Sequence, residues 1–410
     1  MAIEFDVSAA FLTALLDKII YVKPPEGMEK FIGAEKLLKL RKALYGLVQS
    51  PRLFNAEFTQ QLLDAGFTQS ANDDCLFIYD QEDGYAILSL HVDDGILGFS
   101  NNALKEKILG HIQKKYKLGT ARKLTKYLGA EVQHDQDKNT IAITMERYIE
   151  DMVQQFNPAN LESDSPCPAK KLSPPTEKEE LADKELYMKI VGKLMYLTVN
   201  CRPDIAFAVN QLARFATVPS AEHLKAAYKV IAYCNKTKTH GLFFKQDAKY
   251  QDKITVYTDS DHMGGSNSAG KLRSVGGYLV YHCGNLVSWK CVSHKPPALS
   301  SAESELYSIT IGAQEAMYIK NVLRQTESDY SDGFLLLCDN QAAVQTANSL
   351  TYKGRLKHLD VKYHYIRYLV SEKQGKVKHV STHVNPADIL TKPLPRDLHL
   401  RHRDAILTQF

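Results

Sequence analysis

The hydrophobic pattern changes period several times along the chain, and each change marks an element boundary. Near the start, IEFDV and YAILSLHVDDGILGFS are short apolar runs of strand length, and the second has paired acids at its middle. This predicts a hairpin with Asp93 and Asp94 at its tip. TKYLGAEVQHD and NTIAITM flank the polar DQDKN and predict a second hairpin. From Glu146 the period becomes helical, with Tyr148, Ile149, Met152, Val153 and Phe156 on one face. Helical spacing resumes in YMKIVGKLMYLTV, DIAFAVNQLARFA and HLKAAYKVIAYC. Strands return at ITVYTDSD, SVGGYLVYH and NLVSWKCV. A long helix from SSAESELYSI, the strand FLLLCD, helices through AAVQTAN and HLDVKYHYIRYLVSE, the strand KVKHVS and a short helix complete the order.

At 410 residues, two or three domains are expected. Residues 1–145 read as mixed α and β and 146–248 as helical, while 249–396 follow an α/β order and 397–410 form a tail. The stretch 162–186 is rich in proline and charge, with too little apolar content to pack, and reads as a linker. A net charge of +4 is too small to reveal a polyanionic partner by itself. The 7 cysteines form no C-x-x-C pair, which argues against a zinc module or a disulfide framework and suggests reduced thiols. No run approaches the ~18 apolar residues of a membrane span.

Four acids of the last third fall at element ends: Asp259 after a strand, Glu303 in the first turn of the long helix, Asp339 after FLLLCD, and Asp388 opening the last helix. Each alone fits a helix cap, and Ser300 or Ser301 with Glu303 could be a capping arrangement. Together they repel unless cations lie among them. Two magnesium ions about 4 Å apart suit such a set and stabilise both oxygens in phosphodiester hydrolysis.

The segments YTDSDHMG, RSVGGYLVY, LVSWKC, ALSSAESELYSI, LCDNQAAVQTA, RLKHLDVKYHYIR and PADILTK resemble, in order and spacing, the ribonuclease H domain of copia-type LTR retrotransposon Pol polyproteins. FDVSAAFL, IIYVKPPEGM, LRKALYGLVQSPRLF, NDDCLFIY, HVDD, KYLGAEV and VGKLMYLTVNCRPDIAFAV resemble the reverse transcriptase part of the same polyproteins, so the likeness runs from residue 1 to about 396. It implies an α+β reverse transcriptase palm with partial fingers, a helical thumb and connection, and an α/β ribonuclease H-like domain.

The resemblance also implies roles. Asp6, Asp93 and Asp94 would hold two Mg2+ ions, with Mn2+ as a substitute, in the palm. Asp259, Glu303, Asp339 and Asp388 would hold two more in the nuclease. Phe11 would exclude the ribose 2′-hydroxyl of the incoming deoxynucleoside triphosphate. Tyr45, Gly46, Gln49 and Arg52 would line the template and nucleotide pocket, and Leu128 with Gly129 would grip the primer. His383 would aid product release. Arg355, Lys357, His358 and Arg367, interleaved with tyrosines, would contact the hybrid, although a solvated helix face explains them equally well.

The implied partners are an RNA template, a DNA primer, the RNA:DNA hybrid and other polyprotein products, in cytoplasmic virus-like particles or in the nucleus. Five residues precede Asp6, so an N-terminally truncated polymerase is expected. Val48 stands where the family usually has lysine, Thr13-Ala14 where it has Asn-Gly, and His262 where it has tryptophan. Two other readings stay open: a remnant with ribonuclease H activity alone, and a non-catalytic nucleic-acid binder.

Overall fold

The computed structural model describes residues 1–410 except 34–35, 159–161, 169–171, 247–252, 267–271, 295–297, 327–332 and 350–360. These fall into two compact units, Met1–Thr125 with Val322–Ser328, and Lys126–Asn321 with Asp329–Phe410.

The first unit is built on an antiparallel sheet of six strands, in the order Thr68–Gln69, Leu76–Gln81, Gly84–His91, Asp94–Phe99, Ala2–Asp6 and Arg122–Lys123. Alternation buries Ala86, Leu88 and Leu90 on one strand and Leu97 and Phe99 on the next. Helix Ser50–Asp64 adds Phe54, Phe58 and Leu62 to this core, and helix Asn102–Gln113 adds Leu104, Ile108 and Ile112. The i, i+4 spacing puts each trio on one helix face. Asn101 starts the second helix by accepting a hydrogen bond from the Leu104 N–H.

The second unit contains two sheets. The larger runs Asn285–Ser293, Leu272–His282, Ile254–Ser266, Phe334–Cys338, Gly375–His379; the first three strands are antiparallel and the last two run parallel to the central one. The parallel step needs a crossover, which helix Ser301–Thr326 supplies. Val275, Leu279 and Leu286 of this sheet share one core with helices Glu146–Phe156, Lys184–Asn200, Ala206–Ala213 and Ala221–Lys236. The helical block and the α/β block, expected as separate domains, are therefore welded together.

A buried ion pair stands inside that weld. Arg202 is fully buried and donates to Asp204 from Nε at 2.8 Å and from Nη2 at 2.7 Å, while the Tyr233 hydroxyl donates to Asp204 Oδ2 at 2.7 Å. Arg202 also donates to the Thr237 carbonyl and hydroxyl, at 3.1 and 2.6 Å. Nearly every polar hydrogen of the guanidinium is thus matched, as burial of such a charge requires.

The smaller sheet changes two boundaries expected from sequence. Its order is Thr408–Gln409, His240–Lys245, Thr140–Thr144, Ala130–Asp135 and Lys126–Tyr127. The hairpin up to residue 145, expected with the palm, lies in the second unit because Ile143 pairs with Leu242 and Ile141 with Phe244. The stretch 397–410 is no loose tail. Helix Arg396–Ile406 buries His399, His402 and Ile406, and Gln409 then pairs with His240.

The linker 162–186 is also partly strapped down. Cys167 is buried and its carbonyl accepts from Lys229 Nζ at 2.7 Å, the Ser173 carbonyl lies 3.0 Å from His223 Nε2, and Asp164 pairs with Lys236 at 2.7 Å. Backbone carbonyls and one carboxylate do the work that apolar side chains were expected to be needed for.

All 7 cysteines are unbonded to one another. Among the described residues, no helix is long and apolar enough to cross a membrane.

Candidate active sites

The nuclease-side site grows out of the central strand of the larger sheet. Parallel pairing with Phe334–Cys338 ends at Thr258 opposite Cys338, so Asp259 and Asp339 emerge side by side one residue later. Asp259 is not at a strand end, as the sequence suggested, since the strand continues antiparallel to Ser266. Asp388 comes from the short turn Pro386–Leu390, which Asn385 anchors. Its Nδ2 donates to the Thr258 carbonyl at 3.0 Å and its Oδ1 accepts from the Ala387 N–H at 3.2 Å. Gly277 permits the approach, because a Cβ there would sit 2.7 Å from Leu390 Cβ.

Asp259, Asp339 and Asp388 each offer an oxygen within 4.8 Å of the others. Asp259 and Asp388 are 1% and 3% exposed. Burial first, then the neighbouring carboxylates, pushes Asp388 up to about 7, with Asp259 as its main charged neighbour. Burial likewise raises Asp259, against the opposing pull of Lys392 and of the Thr391 hydroxyl, which donates to Asp259 Oδ2. The Lys392 ammonium lies 3.1 Å from Asp388 Oδ1 and 3.3 Å from Asp259 Oδ2.

The fourth acid is Glu305, not Glu303. Glu303 Oε2 accepts from the Leu299 N–H at 2.7 Å, its own N–H donates to Ser300 Oγ at 3.2 Å, and Tyr307 donates to its Oε1 at 3.4 Å. It is a helix-start residue, the capping role weighed against it from the sequence. Glu305 lies two residues on, about 200° around the helix. It is buried, groups with Cys338 and Asp339 within 4.8 Å, and is pushed well above the carboxylate range by burial, then Asp259, then Asp339. On the folded helix Ser304, Glu305, Ser308 and Ile309 are buried, whereas Ser301 is exposed.

The donor set suits a hard divalent cation. Mg2+ sits about 2.1 Å from its oxygens, so two opposed ligands are about 4.2 Å apart, in keeping with oxygens all within 4.8 Å. The two ligand groups meet at Asp339.

The palm-side acids are held differently. Asp6 ends the strand Ala2–Asp6 directly opposite Asp94, and the Val7 N–H donates to the Asp93 carbonyl at 2.8 Å. His91 pairs with Asp94, leaving Val92 and Asp93 as a two-residue hairpin loop with Val92 at φ 59°. A β-branched residue is strained in that region. Asp6 and Asp94 are exposed. Burial, then Asp93, raise Asp6; burial, then Asp93, then Asp6 raise Asp94. The three sequence-predicted acids are therefore neighbours on one rim.

The Phe11 ring lies 4.7 Å from that of Tyr45, tilted by 53°, and 6.3 Å from that of Phe54, edge to face. Gly46 has φ 94° and opens the turn that precedes Gln49, the residue before helix Ser50–Asp64. Arg52 pairs with Asp17 at 2.5 Å, and Val48 is 96% exposed. Leu128 and Gly129, at φ 47° and 77°, form the tight turn between Tyr127 and Ala130, and Tyr196 donates to the Leu128 carbonyl at 2.5 Å.

His383 is exposed on the turn Thr382–Val384 and is outside both ligand groups. Arg367 is half-buried on helix Val361–Ser371. Arg355, Lys357 and His358 lie outside the described residues. His262, in place of the expected tryptophan, has Nε2 2.9 Å from the Ala298 carbonyl.

One unit thus holds an acid-rimmed antiparallel sheet and the other an α/β sheet with converging carboxylates, the fold class of reverse transcriptases with a ribonuclease H-like domain. Residues 1–168 match the family described as reverse transcriptase (RNA-dependent DNA polymerase). Over 403 residues, 96% of this chain, it is 32% identical to the retrovirus-related Pol polyprotein from transposon TNT 1-94 of Nicotiana tabacum, covering 30% of that protein. It is 31% identical to the Pol polyprotein from transposon RE1 of Arabidopsis thaliana over 96% of its own length, covering 26% of that relative. The chain is similar along 96% of its length to retrovirus-related Pol polyproteins of plant transposons, and it spans less than a third of those curated relatives. A solved foamy viral protease-reverse transcriptase in complex with RNA/DNA hybrid aligns with 96% of this chain and 45% of that one, at a TM-score of 0.56 and 12% identity, a likeness of fold.

Proposed function

We propose that the chain is an RNA-directed DNA polymerase with ribonuclease H activity, which extends a DNA primer on an RNA template and hydrolyses the RNA strand of the resulting hybrid. The single observation that carries the nuclease half is that Asp259, Asp339 and Asp388 offer oxygens within 4.8 Å of one another while Asp339 also groups with Glu305. A bound pair of Mg2+ ions would supply charge stabilisation for the attacking and leaving oxygens of an in-line displacement. Asp259 and Asp388 would hold one ion with Asp339, and Glu305 and Asp339 the other. The Thr391 hydroxyl fixes the Asp259 carboxylate, and Asn385 fixes the turn that carries Asp388. In the palm, Asp6, Asp93 and Asp94 would hold the ions for nucleotidyl transfer from deoxynucleoside triphosphates, with Phe11 against the sugar. Family resemblance supports work in cytoplasmic virus-like particles.

A nuclease-only reading has one observation in its favour. Among the described residues, groups of three ligands at metal-binding distance occur at the nuclease acids and not at Asp6, Asp93 and Asp94.

Hybrid cleavage in Mg2+ by the wild type, lost by on the order of 100-fold or more in Asp339→Asn, is expected. Equal cleavage by both proteins would remove the nuclease reading. Primer extension on an RNA template decides the rest: cDNA lost in Asp93→Asn supports the polymerase, and cleavage without any extension leaves a nuclease alone.

A further inference from the structure

Lys392 is placed unlike a surface lysine. It lies one helical turn past Asp388, with its side chain 31% exposed, and its ammonium reaches the carboxylates of Asp388 and Asp259, whose side chains are 4% and 2% exposed. The three distances are 3.1 Å to Asp388 Oδ1, and 3.3 and 3.4 Å to the two oxygens of Asp259. Asp388 Oδ1 is buried and has this ion pair but no hydrogen-bond partner. The lysine therefore faces two of the three oxygens that a cation in this group would need.

Resting on the nuclease reading above, we propose that Lys392 is a tethered counter-ion that competes with the divalent cation for Asp259 and Asp388. The buried acids repel one another, and a single ammonium between two of them offsets part of that repulsion. A divalent ion bound to the same oxygens would lie within a few ångströms of the ammonium, and like charges at that range repel strongly where water is scarce. The two cations exclude each other. Lysine suits the task because its charge is compact and sits on a four-carbon stem that can swing away. The partial exposure of Lys392 gives it somewhere to go, unlike the aspartates it leaves behind. The site would thus be kept assembled before metal arrives, at the cost of weaker metal binding.

The test uses the full chain with Mn2+ as the probe, its binding followed by the loss of free-ion EPR signal and the site defined as the binding lost in Asp388→Asn. Lys392→Met is expected to bind Mn2+ tighter by about tenfold, a coupling of ordinary size between two linked ligands, and to melt at a lower temperature than wild type in EDTA. Lys392→Arg keeps the charge and should stay close to wild type in both. A purely structural lysine could lower the melting temperature on removal but would not tighten metal binding. If Lys392→Met does not fold, Lys392→Gln reads the same Mn2+ affinity. Unchanged or weaker Mn2+ binding in the neutral variant overturns the inference and leaves the nuclease reading standing. Absence of site-specific Mn2+ binding in wild type overturns both.

Discussion

Asp6 and Asp94 stand exposed at the rim of an antiparallel sheet, whereas Asp259 and Asp388 are 1% and 3% exposed with a lysine between them. The chemical groups are the same, but their surroundings oppose. Water screens the palm acids, so their mutual repulsion adds little to the instability of the first unit. In the second unit the fully buried Arg202 is paired with Asp204, and Lys392 lies between Asp259 and Asp388.

The sharpest way to test that contrast is to orphan a buried charge. Asp204→Asn leaves Arg202 without its ionic partner in a fully buried place and is expected to cost the second unit about 3–5 kcal/mol. The melting transition assigned to the second unit, followed by hydrogen exchange, should fall while that of the first is unchanged. Equal loss in both units would mean that the two are not separately stabilised.

A smaller effect is expected from pH. His399 is buried against the Tyr233 hydroxyl at 3.0 Å, and burial lowers it to about 4. An unfolded chain would protonate it near the ordinary value of about 6.5. The unfolded state therefore binds more protons between those values, and stability is complete above about 6.5 and lost progressively as pH falls toward 4. His399→Gln should flatten that slope in urea titrations run at several pH values; an unaltered slope would move the titration to other groups.

The smallest effects belong to the first unit. Asp6→Asn should change its stability by less than about 0.5 kcal/mol, as surface substitutions do, although it should abolish any primer extension. Val92→Gly relieves a positive φ at the hairpin and should stabilise by about 1 kcal/mol or less, since glycine's chain entropy offsets part of the relief. A large loss in either variant would show that the palm rim is not the lightly stressed surface described above.

Strand and helix order was legible because burial leaves a period in the sequence: Ala86, Leu88 and Leu90 alternate, and Tyr187, Ile190, Val191 and Leu194 recur by turns. Asp339 and Asp388 were legible because they follow a strand and open a turn, whereas Asp259, read as a strand end, converges with them from within Ile254–Ser266. Glu305 was missed since two glutamates two apart look alike until the buried helix face is known. The partnership of Lys392 was hidden for a related reason, as Pro386–Leu390 brings it back upon a strand more than a hundred residues earlier. The boundary near 125 escaped because strand pairing between Thr140–Thr144 and His240–Lys245 leaves no local mark. The strapped linker escaped because carbonyl acceptors are present in every residue.

The closing strand Thr408–Gln409 lies beside His240–Lys245, and Arg396 reaches Asp164 across 232 residues of sequence. During folding the second unit would hold an unpaired sheet edge until Thr408–Gln409 docks. Such long-range closure is slow and leaves strand edges open to wrong partners. Chaperone demand on the second unit should therefore persist until that last pairing closes.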